Sequence, residues 1–417
     1  MKKKLIIFSL SVLMAVSGVA QTFTIWTKGN ALLATPAQVG EMVFSGTQVS
    51  VGNLVLDYAD IDSMTYSEQN FDPQVVDFAY AGEQCYTRVP LALMDYLTID
   101  KDGAYVTVTS TAAADPEIVY SLSGATSNGA FVQDGTYKCG IVLNGVSITS
   151  QRGAAVHIRN GKRIDIDLAD GTVNSFSDYA AGIQDACFHV KGHPEFSGHG
   201  TLNITGNAKH AYKSGEYTLL KRSTGTINIL AAKSDAMHID QYFHQRGGTV
   251  NISPTVMGDG IQVDTTNDRT DELNGQILID SGYVNITLNG DDCDGLKCDS
   301  ALTITGGNIT IATTGRGSKC INAGTNAMIN ANTIAPNIQL TASGGRLQVG
   351  IDNKRSMCLK AGGDLCFYAG TLSAKNTGDK GRSIKVNGNY YRIQSAISLT
   401  VSPAISVDGL TYNSMKK

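Results

Sequence analysis

The chain has little of what most fold classes need. Its 417 residues hold 8 prolines and one tryptophan, so proline-rich linkers and polyproline segments are excluded. No stretch of ten or more residues repeats its apolar positions with the helical period, which excludes a helical bundle. After the first twenty residues no apolar run is long enough to cross a membrane as a helix. Charge is scarce as well. The net is −4, without basic runs beyond the three lysines at the N-terminus, and nothing points to nucleic acid. No Cys or His motif has the spacing of a zinc site.

What is abundant is glycine, 45 residues, well above the usual fraction of about 7%. The N-terminus reads as an export leader. Lys2, Lys3 and Lys4 form its basic end, Leu5 to Val16 its apolar stretch, and Gly18-Val19-Ala20 a cleavage site. Cleavage after Ala20 leaves 30 cations against 37 acids, a net of −7. A secreted, surface or periplasmic location is expected. Cys298, Cys320 and Cys358 fall in apolar contexts at matching places. Buried free thiols are therefore expected over bridges, with Cys293 the thiol to test for reactivity.

Two repeats organise the middle of the chain. Leu202-Asn203-Ile204, Ile227-Asn228-Ile229, Val250-Asn251-Ile252, Val284-Asn285-Ile286 and Ile309-Thr310-Ile311 recur at intervals of 25, 23, 34 and 25 residues. Between them stand three acidic phrases, Asp235 to Asp240, Asp259 to Asp264 and Asp294 to Asp299, each with a second acid five positions after the first. A fourth copy, Ser318-Lys319-Cys320-Ile321-Asn322, lacks the acids. The long interval carries ten extra residues, 265–274, after Asp264. Short alternating strands at this period predict an all-β solenoid, a parallel β-helix of about 24 residues per coil. A β-sandwich array does not require such self-similarity.

The expected organisation is a leader, 1–20, a small N-terminal β unit, 21–66, a connecting segment, 67–99, the solenoid, 100–394, and a C-terminal cap, 395–417. The segment Val89–Tyr96 is expected to hold a short helix. The phrase Tyr58 to Tyr66 is similar to one that ends the β leader of many exported Bacteroidetes proteins.

Several ordered phrases resemble a bacterial family of carbohydrate-binding-domain proteins: Leu143-Asn-Gly-Val-Ser-Ile-Thr149, Gly200-Thr-Leu-Asn-Ile-Thr-Gly206, Gly258-Asp-Gly-Ile261, Ile304-Thr-Gly-Gly-Asn-Ile-Thr310 and Gly315-Arg-Gly-Ser-Lys-Cys-Ile-Asn322. The resemblance covers about 100–393. It implies a right-handed, pectate-lyase-like parallel β-helix that binds calcium and an acidic or cellulosic plant polysaccharide. The acid-poor fourth copy departs from it beyond Asp299.

On the residues themselves, stacked Asp235, Asp259 and Asp294 would place carboxylates about 5 Å apart, a repulsion of roughly 3 kcal/mol at an effective dielectric of about 20. Either the pKa values rise or a cation sits between them. An all-oxygen set favours Ca²⁺, and the expected ligands are Asp235, Asp259, Asp264, Asp268, Asp271, Asp291, Asp292, Asp294 and Asp299. Turn capping by Asp is the alternative. Lys297, Arg316 and Lys319 are the expected contacts to a uronate substrate. His238 and His157 read as strand-surface residues, and the Asn column as a structural amide ladder.

The expected function is calcium-dependent, non-catalytic binding of polygalacturonate-like polysaccharide. A pectin-active enzyme is the alternative. Gly258-Asp259 and Asp291-Asp292 resemble the acid pairs of polygalacturonases, with Asp259, Asp291 and Asp292 as its carboxyls, but the Asn-Thr-Asp and Gly-His-Gly phrases are missing. A lyase, or an adhesion solenoid without a specific glycan, are further alternatives.

Overall fold

The computed structural model describes residues 21–414 apart from 41, 53, 116, 269, 350 and 351. The leader and its cleavage point lie outside the described residues. The chain is all-β, and its long sheets are parallel. Each strand pairs with its equivalent in the next repeat, Asn203 with Asn228, Asn228 with Asn251, Asn251 with Asn285. The 24-residue self-similarity is therefore a strand register.

Three strands per repeat build three stacks. The first is a 13-stranded sheet from Leu97–Asp102 to Ser406–Val407 that includes Met237–Asp240, Ile261–Asp264 and Leu296–Cys298. Only its first pair, Leu97–Asp102 with Ala104–Ser110, is antiparallel. The second stack runs through Tyr242–Gln245, Gln276–Ile279 and Leu302–Ile304. The third runs through Thr249–Ile252, Tyr283–Leu288 and Asn308–Thr313. One long strand, Cys139–Thr149, feeds both the second and third stacks.

Alternate residues point inward, and like stacks on like. Leu202, Ile227, Val250, Val284, Ile309 and Ile338 lie in consecutive register, all buried. Each such side chain contributes about 1.5–3 kcal/mol of burial. A single core runs from Val76 to Tyr390. Outside, the asparagines form the expected ladder, with amide-to-carbonyl distances of 2.8, 2.8 and 2.9 Å from Asn203 to Asn285.

Two boundaries differ from expectation. The segment 67–99 is not a connector. It holds the antiparallel pair Val75–Ala81 and Gln84–Pro90, and Val75–Ala81 already pairs in parallel with Val119–Thr126. A 3-10 helix, Leu91–Tyr96, stands where the short helix was expected. The tail continues the repeat, since Ile397–Ser402, Ser406–Val407 and Thr411–Ser414 add one strand to each stack. The N-terminal unit has its own small core around Ile25, Val49 and Val51. It joins the rest where Asn30–Ala34 pairs with Gln84–Pro90. No helix among the described residues is long and apolar enough to cross a membrane.

Candidate ligand-binding face

The outward positions of the first stack carry the chemistry. Parallel register aligns His157, His189, Lys213, His238, Gln262, Lys297, Asn322, Lys360 and Lys385 in one column, one residue per strand. A net acidic protein thus sets four lysines, Lys213, Lys297, Lys360 and Lys385, along one line. At the N-terminal end the rings of His157 and His189 stack at 4.8 Å, 5° from parallel. Burial, then the charges of His157 and Lys213, push His189 down to about 4.

Three positions before His238, Gln262 and Lys297, at the entry to each of those strands, lies the acid column. Its carboxylates are buried, at 8, 6 and 3% exposure for Asp235, Asp259 and Asp294. The spacing suggested a cation between neighbours; in the structure one oxygen of each acid accepts a backbone N–H from the next repeat. Asp235 Oδ1 accepts the N–H of Asp259 at 2.9 Å, Asp259 Oδ1 the N–H of Asp294 at 2.7 Å, and Asp294 Oδ1 the N–H of Lys319 at 2.7 Å. Each acid caps the strand entry of the next repeat. Glycine follows Asp259 and Asp294 because the repeats approach too closely for a side chain. A Cβ on Gly260 would stand 2.4 Å from the carbonyl oxygen of Gly295.

The second oxygen of each acid meets a donor. Asp235 Oδ2 lies 2.9 Å from His238 Nδ1 and 3.3 Å from His210 Nδ1. Asp259 Oδ2 takes Lys297 Nζ at 2.8 Å. Asp294 Oδ2 takes Asn322 Nδ2 at 2.7 Å, and Lys319 Nζ stands 3.2 Å from its Oδ1. Burial works to raise Asp235, but the hydrogen bonds of His210, His238 and the Asp259 N–H outweigh it and hold the carboxyl well below its usual range. At Asp259 burial and the charge of Asp294 prevail over Lys297 and push it up to about 6.

The other expected metal ligands are dispersed. Asp291 holds Arg316, with Nε at 3.0 Å, and Asp292 holds Lys354. Asp268 accepts from the hydroxyl and N–H of Thr270, and Asp271 from Gln241 at 2.6 Å. Asp299 caps Thr265 at 3.0 Å. Asp264 Oδ1 accepts from Gln262 at 2.7 Å. Among the described residues, no three of the nine carboxylates bring oxygens within 4.8 Å of one another. The two groups that do converge contain histidine: His210 with Asp235 and His238, and His238 with Asp240 and Asp264. The acids form a capping and ion-pairing network and fit an all-oxygen calcium cage poorly. The same pairing ties up Asp259, Asp291 and Asp292, the carboxyls an enzyme would use.

Of the expected substrate contacts, Lys297 and Lys319 lie together and Arg316 is engaged with Asp291. Lys297 and Lys319 line a cavity of about 370 Å³ with Lys354, Arg355 and Lys360, set against Asp292 and Asp294. One wall is a hairpin, Arg346–Val349 paired with Asp352–Arg355, inserted between two repeats. Lys360 makes no ion pair among the described residues, and burial, then the charge of Lys319, lowers its pKa. A larger cavity, about 750 Å³, lies at the corner between the second and third stacks, floored by glycine turns beside Arg222 and Arg246. Its acid, Asp280, is taken by His244 and Thr305, both at 2.8 Å. The smaller cavity has more cations and the unpaired lysine, and it is the stronger candidate for an anionic ligand.

All eight cysteines are free thiols, seven of them buried. Cys293, the thiol singled out for a test of reactivity, is buried with Sγ 3.3 Å from the carbonyl oxygen of Met257, and burial pushes its pKa up to about 12.

The family model described as "Carbohydrate-binding domain-containing protein" matches residues 102–381. A protein of that description from Acetivibrio thermocellus is 27% identical over 123 residues, 27% of this chain and 42% of the relative. The chain therefore spans less than half the length of that relative. A solved structure titled as the polysaccharide lyase-like protein from C. thermocellum, gadolinium derivative, is 18% identical with a TM-score of 0.48, covering 63% of this chain and 96% of the other. With its family model matched over most of its length, this chain belongs to the carbohydrate-binding domain-containing proteins.

Proposed function

We propose that the chain is an exported, non-catalytic binder of acidic polysaccharide, built as a right-handed parallel β-helix, and that the lysine cavity beside the inserted hairpin receives uronate carboxylates. Lys360 carries the reading. A half-buried ammonium that makes no ion pair among the described residues, its pKa lowered by burial and then by the charge of Lys319, with Asp294 acting the other way, is poised to gain from an incoming anion. The outward column offers a polymer successive donors one strand spacing, about 4.8 Å, apart. Lys297 and Lys319 are already ion-paired, so they shape the cavity and hold its charge in place. A long acidic chain could then lie across several repeats while Lys360 fixes one uronate.

Recognition on this reading runs through lysine. The stacked acids are capped and paired, and no step is routed through calcium. Affinity electrophoresis in polygalacturonate, in cellulosic polymer and in blank gels tests this. Polygalacturonate should retard the protein in EDTA as well as in Ca²⁺, and salt should weaken the retardation. Lys360→Ala removes one charge-assisted contact of about 1.5–3 kcal/mol, or about 10–100-fold in affinity. Retardation that vanishes in EDTA would restore the calcium-bridged mode. Retardation by no glycan would favour an adhesion solenoid. Release of unsaturated or reducing sugar from polygalacturonate would make the protein an enzyme.

A further inference from the structure

We infer that His238 Nε2, Asp240 and Asp264 form a three-ligand site for a divalent transition metal of the zinc class, with Asp235 orienting the imidazole from behind.

Register creates the site. Met237–Asp240 and Ile261–Asp264 are parallel neighbours, and Asp240 stands opposite Asp264. His238, two residues before Asp240 on the same strand, presents its ring between them. Its Nε2 lies 3.7 Å from Asp240 Oδ1 and 3.4 Å from Asp264 Oδ2. These separations exceed a hydrogen bond. They suit the edges of a coordination shell with bonds of about 2.0–2.1 Å, as for zinc with imidazole and carboxylate. Calcium takes oxygen at about 2.3–2.6 Å and does not seek imidazole.

The imidazole is prepared for that role. Its Nδ1 meets the buried Asp235 Oδ2 at 2.9 Å. On that hydrogen bond Nδ1 carries the proton and the Nε2 lone pair faces the two carboxylates. Metal-binding histidines commonly donate their other ring nitrogen to a carboxylate in this way. Asp264 is held as well, since Gln262 bonds its Oδ1 at 2.7 Å and leaves Oδ2 toward the histidine. The neighbouring group of His210, Asp235 and His238 is the poorer candidate. His210 Nδ1 is already taken up by Asp235, 3.2 Å from its backbone N and 3.3 Å from its Oδ2, and His238 Nδ1 is engaged with the same carboxylate.

Side-chain exposures of 14, 31 and 34% for His238, Asp240 and Asp264 leave a path for an ion. Three protein ligands leave a fourth position for water or a sugar hydroxyl. Among the described residues the site occurs once. In the next two repeats the place of His238 is taken by Gln262 and Lys297, while Asp299 caps Thr265.

The test is zinc titration of the metal-stripped full chain against a chromophoric chelator. One zinc per chain is expected, with excess calcium failing to displace it. His238→Gln and Asp240→Asn should each weaken zinc binding at least tenfold, with circular dichroism unchanged. Cobalt in place of zinc should give the visible absorption of a four-coordinate nitrogen and oxygen site in the natural chain and lose it in His238→Gln. Lys360→Ala should bind zinc as the natural chain does, which separates this site from the polysaccharide cavity. Undiminished zinc binding by the folded His238→Gln variant, or displacement by calcium, would overturn the inference.

Discussion

The first stack holds two regions built on one strand pattern with opposite chemistry. From Asp235 to Asp294 the position that enters each strand is an acid. From Lys319 through Met357 to Arg382 the same register position carries no acid. The acidic repeats tie strand to strand with side-chain caps. The cationic repeats leave Lys360 facing a cavity. In the acidic region the polar groups satisfy one another, so their contribution is to register and stability. In the cationic region Lys319, Lys354 and Lys385 are ion-paired and, among the described residues, Lys360 is not, so on the proposed reading Lys360 is the group left for a ligand. The stacked acids drew attention first as a ligand site. The structure makes them chiefly the frame, and the two proposed ligand sites stand at its ends, the His238 cluster at one and the lysine cavity at the other.

The largest effect that would break this comparison is expected at Asp294. Asp294→Ala strands the Lys319 N–H and leaves the Lys319 ammonium, 12% exposed, without its partner. Removing one member of a buried pair costs about 3–5 kcal/mol, read as a fall in the denaturation midpoint. A cost below about 1 kcal/mol would show that the acids do not hold the frame. Lys360→Gln should lie at the other extreme. It should change stability by roughly 0.5 kcal/mol while polygalacturonate affinity falls about tenfold or more. If the two variants exchanged signatures, the assignment of frame and binder would have to be reversed.

The frame was largely legible in the sequence. Alternation gave the strands, the Asn column gave the ladder, and the interval of 34 located the ten extra residues. All of these are patterns within a repeat or between identical positions. What stayed hidden needs different residue types in different repeats. His238 reads as a surface strand residue until Asp264, 26 positions later, is placed beside it. Lys354 is an unremarkable lysine until the hairpin turns it toward Lys360. The capping role of the acids was present as an alternative, because Asp before Gly or Ala is turn chemistry. Which atom each Asp would cap depends on the approach of the next repeat. One readable signal was passed over: Asp235-x-x-His238-x-Asp240 is the phrase that adds an imidazole to the two acids.

The smallest effect concerns the N-terminal end of the column, where histidines kept neutral by burial stand in place of lysines. His189 stacks on His157 and faces Lys213, Asp185 and His210, and burial holds it near 4 against an ordinary 6.5. Between those values the unfolded chain binds a proton that the folded chain does not. Stability therefore rises with pH across this window. The contribution is complete above about pH 6.5 and is lost as pH falls toward 4. After discounting for partial exposure it is on the order of 1–2 kcal/mol. Melting curves from pH 7 to 4 should show the decline, and His189→Gln should flatten it, less than completely because His157 is also lowered. An unchanged slope would mean that this end is as solvated as the lysine end. The column would then be one continuous cationic strip, and the distinction drawn here would apply only to the acids.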